Sequence, residues 1–440
     1  MTRFDFVDRA SQEAVAREDL SGSEYWVNDR VFAQALGDVL QPAVADLITV
    51  ALSCYAADRL AKRPSSWIRP FEVRVALHDP DPWIRARDEL EAYLGALTDD
   101  RWTFEFVGGR RGRLSELQGT LFPVDLGGMG SVGLFSSGLD SLAGAAHWVE
   151  ANEGQLVLLG ARSSPVVGRD QRAVASGIRG LFGNRVIEVG VPLRLRRALS
   201  KESTQRTRGF LFLSLAAAAA LTSRADGVVV FENGYGSHNP RLVESQFGSQ
   251  ATLGTHPHLL RLFEQLMTAL GIPVTVRLPH RWETKAELLR RLRKELTPLV
   301  ALTSSCDAYP LRIAGRTHCG DCGSCVLRQQ SLMAAGLGTA DRRDYLRRPF
   351  DRGTQPGLTV TLMARQAWQF AQLARVEAWE EIGWRWPSLT LGLDGSSWTD
   401  RAAVLRLLTT YSEEWSTLMA ARPYLHEQLH WPAADWRATA

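Results

Sequence analysis

Lysine is nearly absent from this chain. Of its 51 basic residues only Lys62, Lys201, Lys285 and Lys294 are lysines, a bias of the kind genome composition imposes, and one that makes a lysine inside a motif informative. An excess of one charge is also missing. The 51 basic and 48 acidic residues leave a net charge of +3, and with no evident basic stripe nothing demands nucleic acid as a partner. The longest apolar run, Gly209–Leu221, has 13 residues, short of the roughly 20 that span a bilayer, and reads as a buried helix. Met1–Arg9 carries acidic residues and no apolar core, unlike a signal peptide, so a cytoplasmic location is expected. Cysteine is scarce, but four of the five, Cys306, Cys319, Cys322 and Cys325, fall within one short segment.

What is present points to an α/β protein. At roughly 100–200 residues per domain, 440 residues predict two or three. Residues 1–128 read as an N-terminal α+β accessory domain. Ala43–Ala61 has helical spacing, Phe71–Leu77 and Trp102–Val107 alternate with period two, and Trp83–Leu97 is amphipathic. Residues 129–340 alternate strand and helix. The expected strands are Val132–Phe135, Gln155–Leu159, Arg185–Val189, Gly227–Phe231 and Val274–Leu278. The expected helices are Ser141–Glu150, Asp170–Phe182, Gly209–Ser223, His258–Leu270 and Thr284–Leu296. Short apolar strands separated by helices predict a parallel sheet covered on both faces. Residues 341–440 read as a helical C-terminal region, with helices over Ala364–Trp386 and Asp400–Ala421.

Two segments carry chemistry. The first is Ser136-Ser137-Gly138-Leu139-Asp140-Ser141, between a strand and a helix. A helix N-terminus offers unpaired N–H groups and a partial positive charge to an oxyanion. Small residues let the backbone approach phosphate, and Gly138 permits an unusual φ. Ser141 is a candidate cap or phosphate donor, and Asp140 a ligand for Mg²⁺ or an organiser of the loop. The Gly-Lys-Ser/Thr of a Walker loop and the G-x-G-x-x-G of a dinucleotide site are both missing. The second segment is the four-cysteine cluster, two overlapping C-x₂-C units and one upstream cysteine. Four thiolates suit a tetrahedral, structural Zn²⁺, with an iron–sulfur cluster as the rival. His318 is a reserve ligand with a supporting role expected.

These motifs resemble a known family. Phe-Ser-Ser-Gly-Leu-Asp-Ser141 is similar to the Ser-Gly-Gly-x-Asp-Ser pyrophosphate loop of the PP-loop ATPases, departing from it at Ser137, where the family has glycine. Thr303-Ser-Ser-Cys306 followed by Cys-Gly-x-Cys-x-Ser-Cys-x-x-Arg328 resembles the zinc segment of the QueC-like branch, and Thr284-Lys285-Ala286-Glu287 resembles a Lys-Ala-Glu segment found there. Outside about residues 131–335 the chain is longer than that branch. Its Glu-Asn-Gly, Gly-Ser and Thr-His-Pro elements, and the Trp83–Phe106 stretch, are similar to the long QueC-like proteins of bacterial anti-phage systems of the Qat and CBASS types.

The resemblance implies an adenine nucleotide alpha hydrolase-like fold that uses ATP and Mg²⁺ with a structural Zn²⁺. It implies an AMP-forming carbon–nitrogen ligase that adenylates 7-carboxy-7-deazaguanine and joins it to the N-terminal amine of a partner protein. The alternatives are a 7-cyano-7-deazaguanine synthase using ammonia, a non-catalytic nucleotide sensor or scaffold, and, least supported by the charge, a tRNA-modifying enzyme. Residues Ser136–Ser141, Gly160, Arg162 and Arg206 are the expected nucleotide contacts, and Asp140, Ser141, Lys285 and Arg208 the expected catalytic groups. The long polar segments Phe231–Arg241 and Gly248–Pro257 follow a strand, where ligands of parallel sheets bind. They nominate Asn233, Gly234, Asn239, Arg241, Thr255 and His256 for the substrate.

Overall fold

The computed structural model describes residues 2–6, 25–27, 41–109, 126–127, 129–195, 201–243, 253–309, 313, 317–391 and 398–429. The chain begins with β1 (Thr2–Phe6) and β2 (Tyr25–Val27), then α1 (Pro42–Leu60), β3 (Pro70–Leu77), α2 (Asp81–Arg85), α3 (Arg87–Thr98) and β4 (Arg101–Gly108). Strands β1, β3 and β4 form a parallel three-stranded sheet in that order. Phe71, Val73, Val75 and Leu77 alternate inward on β3, and Trp102, Phe104 and Phe106 do so on β4. Phe71 and Trp102 stack at 4.3 Å.

The second sheet uses β5 (Ser131–Leu134), β6 (Leu156–Arg162), β7 (Val186–Leu195), β8 (Val228–Val230) and β9 (Val276–Arg277), in the order β2-β7-β6-β5-β8-β9. All of its pairs are parallel except β2 on β7. The chain starts at β5, moves outward through β6 and β7, and returns to lay down β8 and β9 on the other side. The strand order therefore reverses between β5 and β8. In open parallel sheets that reversal opens a crevice at the carboxyl ends of the two strands.

Helices α4 (Leu139–Ala151), α5 (Pro165–Phe182), α6 (Arg208–Thr222), α7 (Gly234–His238), α8 (Pro257–Ala269), α9 (Lys285–Arg290) and α10 (Gly323–Ala334) connect and cover this sheet. Between them, β10 (Thr317–His318) pairs with β11 (Asp344–Tyr345). On one face, α6 buries Ala216–Ala220. Its apolar cluster continues without a break into the N-terminal sheet: Tyr93 packs edge-on against Phe210 at 5.3 Å and lies 5.9 Å from Phe263. Asp58, buried at the end of α1, accepts from the Thr207 amide and hydroxyl, both at 3.0 Å, just ahead of α6. On the other face, α4, α5 and α9 form a second cluster around Leu142, Ile178 and Leu289. A third cluster lies among the C-terminal helices α11 (Leu358–Arg375), α12 (Trp379–Arg385), α13 (Trp398–Ala421) and α14 (Tyr424–Leu429).

Several boundaries differ from the periodicity. The single helix expected over Thr284–Leu296 is α9 followed by a 3₁₀ segment, Lys294–Leu302, that contains Pro298. Bonds from Arg291 to Leu288 and from Leu292 to Leu289 tighten the end of α9, and the turn lets Leu292, Leu296 and Val300 reach one apolar cluster. The helix expected over Ala364–Trp386 divides into α11 and α12, with Glu377 between them at φ 49°. Strand β7 runs past Val189 to Leu195 because β2 pairs with its end. Among the described residues, no helix is long and apolar enough to cross a membrane.

Candidate functional site

The loop after β5 enters the crevice where the strand order reverses. Gly133 is required beneath it: a Cβ there would lie 2.4 Å from the Phe231 ring. The loop is closed by its own serines. The Ser136 amide donates to Ser141 Oγ at 3.1 Å, the two hydroxyls lie 3.0 Å apart, and the Gly138 amide donates to Ser136 Oγ at 3.2 Å. Helix α4 starts at Leu139, two residues earlier than expected, with Gly138 as its N-cap and no side-chain cap. Ser141 is thus not the cap; its hydroxyl turns back to the loop. The N–H groups of an uncapped first turn remain for an incoming acceptor.

The unusual φ also sits elsewhere than expected. Gly138 has φ −77°, in ordinary extended backbone. Ser137 has φ 67°, the left-handed region that costs a non-glycine residue about 1–2 kcal/mol. Its surroundings hold it there. The side chain is buried, and its carbonyl accepts from the Ser304 amide at 3.0 Å. Ser304 stands two residues before Cys306.

Asp140, in the first turn of α4, faces residues from two other segments. Its Oδ2 pairs with Lys285 Nζ at 2.6 Å and its Oδ1 accepts from Asn233 Nδ2 at 3.0 Å. Asn233 also donates to Glu232 Oε1, at 2.8 Å. Burial disfavours a charged Lys285, but Asp140 and then Glu232 outweigh it and hold the ammonium above its ordinary pKa. Burial, then the charge of Asp140, push Glu232 up to about 8, with Lys285 opposing. Glu232 therefore holds its proton more tightly than an ordinary carboxylic acid, beside the ammonium of Lys285. Glu232 was not among the residues expected from sequence. Its signal was its position, two residues after β8 and beside Asn233, in a segment already read as ligand-binding.

The remaining candidates lie in different places. Gly160 and Arg162 are at the carboxyl end of β6, next to β5. Gly160 makes room for Gln171, whose amide donates to the Phe135 carbonyl at 3.2 Å, while Arg162 pairs with Glu188. Arg206 is buried against the N-terminal region, bonded to Asp99 at 2.8 Å and lying 5.0 Å over the Trp67 ring. Arg208 is exposed on the first turn of α6, over Phe212. Asn233 caps α7, and Gly234 is pressed against Leu407 of α13. Asn239 ends α7 at φ 43°. Arg241 donates to the Arg385 carbonyl at 3.0 Å. Thr255 is half-buried ahead of α8. His256 is fully buried: its Nδ1 accepts from the His258 amide at 3.1 Å and its Nε2 faces the Ser388 carbonyl at 2.8 Å. Residues 244–252, which include Gly248 to Thr252 of the polar segment, lie outside the described residues. The structure thus joins Ser136–Ser141, Asn233 and Lys285, while Arg206, Arg241 and His256 are engaged elsewhere.

The four cysteines are grouped so that they could hold a metal ion. Their sulfurs all lie within 4.8 Å of one another, and Cys319 and Cys325 are 3.9 Å apart. Tetrahedral Zn–S bonds of about 2.3 Å separate sulfurs by about 3.8 Å. The Cys319 amide donates to Cys306 Sγ and the Cys322 amide to Cys319 Sγ, both at 3.3 Å. Four protein sulfurs close a tetrahedral site, so a metal such as zinc would be structural here. His318 is buried beside the group, with Nε2 3.3 Å from Ser304 Oγ. Arg328, fully buried, ties the chain on the two sides of the knuckle together, bonding the Val300 carbonyl at 2.8 Å, Thr303 Oγ1 at 2.7 Å and Asp341 at 2.9 Å.

Comparison of the chain with protein-family models, with curated proteins and with solved structures finds no match.

Proposed function

We propose that this chain is a QueC-like PP-loop enzyme that adenylates 7-carboxy-7-deazaguanine and transfers the acyl group to the N-terminal amine of a partner protein in anti-phage defence. The observation that carries the reading is the convergence of Asp140, Lys285 and Glu232 beside an uncapped helix N-terminus, in the crevice where the strand order reverses. A carboxylate acylates amines poorly because its leaving group would be oxide. In the first step a substrate carboxylate oxygen attacks the α-phosphorus of ATP, the bond to the bridging oxygen breaks, and pyrophosphate leaves. In the second, the amine nitrogen attacks the acyl carbon and loses a proton, and AMP leaves.

Such transfer relies on positioning and charge neutralisation. The amides of residues 139–141 and the serine hydroxyls bind the pyrophosphate oxygens, and Lys285 neutralises charge on the leaving group. Asp140 and Glu232 are the residues that would hold Mg²⁺, which would neutralise further phosphate charge. The donor set fits, since Asp140 and Glu232 bring carboxylate oxygens together on Asn233 Nδ2, and such oxygens are the ligands a hard divalent cation takes.

Pyrophosphate release by zinc-replete protein, with ATP and 7-carboxy-7-deazaguanine, tests the first step. No acid-dependent release would leave only a sensor or scaffold. The intact mass of a co-expressed partner tests the second. One added deazaguanine acyl group is expected, and Asp140→Ala should abolish it. Conversion to a nitrile with ammonia alone would instead identify a 7-cyano-7-deazaguanine synthase.

A further inference from the structure

The C-terminal helix α13 reaches both segments that carry the site. Leu407 packs on Gly234 so closely that a Cβ there would lie 2.8 Å from its Cδ2. One turn on, Tyr411 stacks on Tyr235 at 4.3 Å, with 15° between the rings. Three residues further, the buried Glu414 accepts from Thr284 Oγ1 at 2.5 Å and faces Arg290 at 3.3 Å. These positions recur at helical spacing, so one stripe of α13 makes all the contacts. Thr284 is the residue before Lys285 and caps α9 through a reciprocal box: its hydroxyl accepts from the Glu287 amide at 3.1 Å, and Glu287 accepts from the Thr284 amide at 2.8 Å. Arg406, also from α13, pairs with Glu287 at 2.7 Å and donates to the Trp282 carbonyl. The two segments are joined to each other by the Gly234 amide, which donates to the Glu283 carbonyl at 2.7 Å.

We infer that Glu414 is a positioning residue for Lys285: by holding the Thr284 hydroxyl, it fixes the start of α9 and so keeps Lys285 against Asp140 and Glu232. The Thr284 hydroxyl has one proton and gives it to Glu414, while its lone pair takes the Glu287 amide. Without that acceptor the hydroxyl is free to rotate and the cap loosens. A displacement of about 1 Å at Lys285 is enough to cost on the order of 100-fold in rate. The C-terminal region would thus belong to the reacting centre rather than merely flank it. This builds on the reading of Lys285 as a phosphate-neutralising group, but its test does not depend on turnover.

The scarcity of lysine supplies the readout. The acetylation rate of Lys285 by acetic anhydride, followed by peptide mass mapping, reports how firmly the ammonium is held. Three variants are compared: Glu414→Leu removes the acceptor, Glu414→Gln keeps an oxygen for Thr284, and Leu418→Ala destabilises the same helix away from Thr284. In Glu414→Leu, Lys285 should be acetylated about 10-fold faster than in the wild type, with Lys62, Lys201 and Lys294 unchanged. Glu414→Gln and Leu418→Ala should keep the wild-type rate. Where wild-type protein releases pyrophosphate, Glu414→Leu should lose about 10- to 100-fold in kcat and Glu414→Gln should recover most of it. Wild-type acetylation of Lys285 in Glu414→Leu, or an equal rise in Leu418→Ala, overturns the inference. Absent pyrophosphate release in the wild type overturns the proposed function alone.

Discussion

Ser137 holds a left-handed backbone that glycine adopts without penalty. Ser137→Gly should stabilise the protein by about 1 kcal/mol, the strain relieved less the greater freedom of an unfolded glycine. Urea unfolding measures this directly, and a destabilised variant would mean that the buried serine side chain contributes more than its backbone costs. The loop itself was legible because its members are contiguous: small residues, an acid and a helix start within six positions. Glu232 was not, because what gives it meaning is a carboxylate about 90 residues earlier, brought close by the pairing of β5 with β8. Composition distinguishes a buried acid from a solvated one only when its partner is known. Arg206 illustrates the converse. It was expected to contact the nucleotide, but the aspartate it binds, Asp99, lies in a segment packed on by tertiary contacts alone.

At the scale of elements, His256 shows how a polar residue in a ligand-like segment can serve architecture. Its ring caps α8 and anchors Ser388, which follows α12. Burial, partly offset by the Ser388 contact, lowers its pKa to about 4. The folded state therefore requires the neutral ring. Its contribution is complete above the unfolded value of about 6.5 and is lost as pH falls towards 4. Between pH 7 and 5 the wild type should lose about 2 kcal/mol more stability than His256→Asn, which retains a cap. Urea unfolding of both proteins at the two pH values checks this, and parallel losses would place the ring's protonation outside folding. Strand and helix centres were readable from period alone, whereas the ends were not. The end of α9 depends on i–3 bonds that deliver Leu292 and Leu296 to a shared cluster, and the break before α12 on a left-handed Glu377. Neither leaves a mark in hydrophobic spacing.

For the molecule as a whole, the alternation of strands and helices made a parallel sheet legible. The strand order was not, since alternation does not say on which side of β5 each new strand is added. The cysteine cluster was the most legible feature, four residues whose sulfurs converge closely enough that they could hold a metal ion. Metal analysis should find one zinc per chain, and removing it with a chelator should cost several kcal/mol of unfolding free energy, because four unpaired thiols would then crowd a half-buried site. Cys322→Ala should lower the zinc content in the same way. Retention of full stability by metal-free protein would assign the cysteines to packing alone.

The apolar cluster that runs from Phe4 through Phe210 to Phe263 has no seam, and neither does the contact of α13 with Thr284 and Gly234. Removing either end of this chain would therefore expose apolar surface of the central region to water, so neither flank can be trimmed without loss of stability.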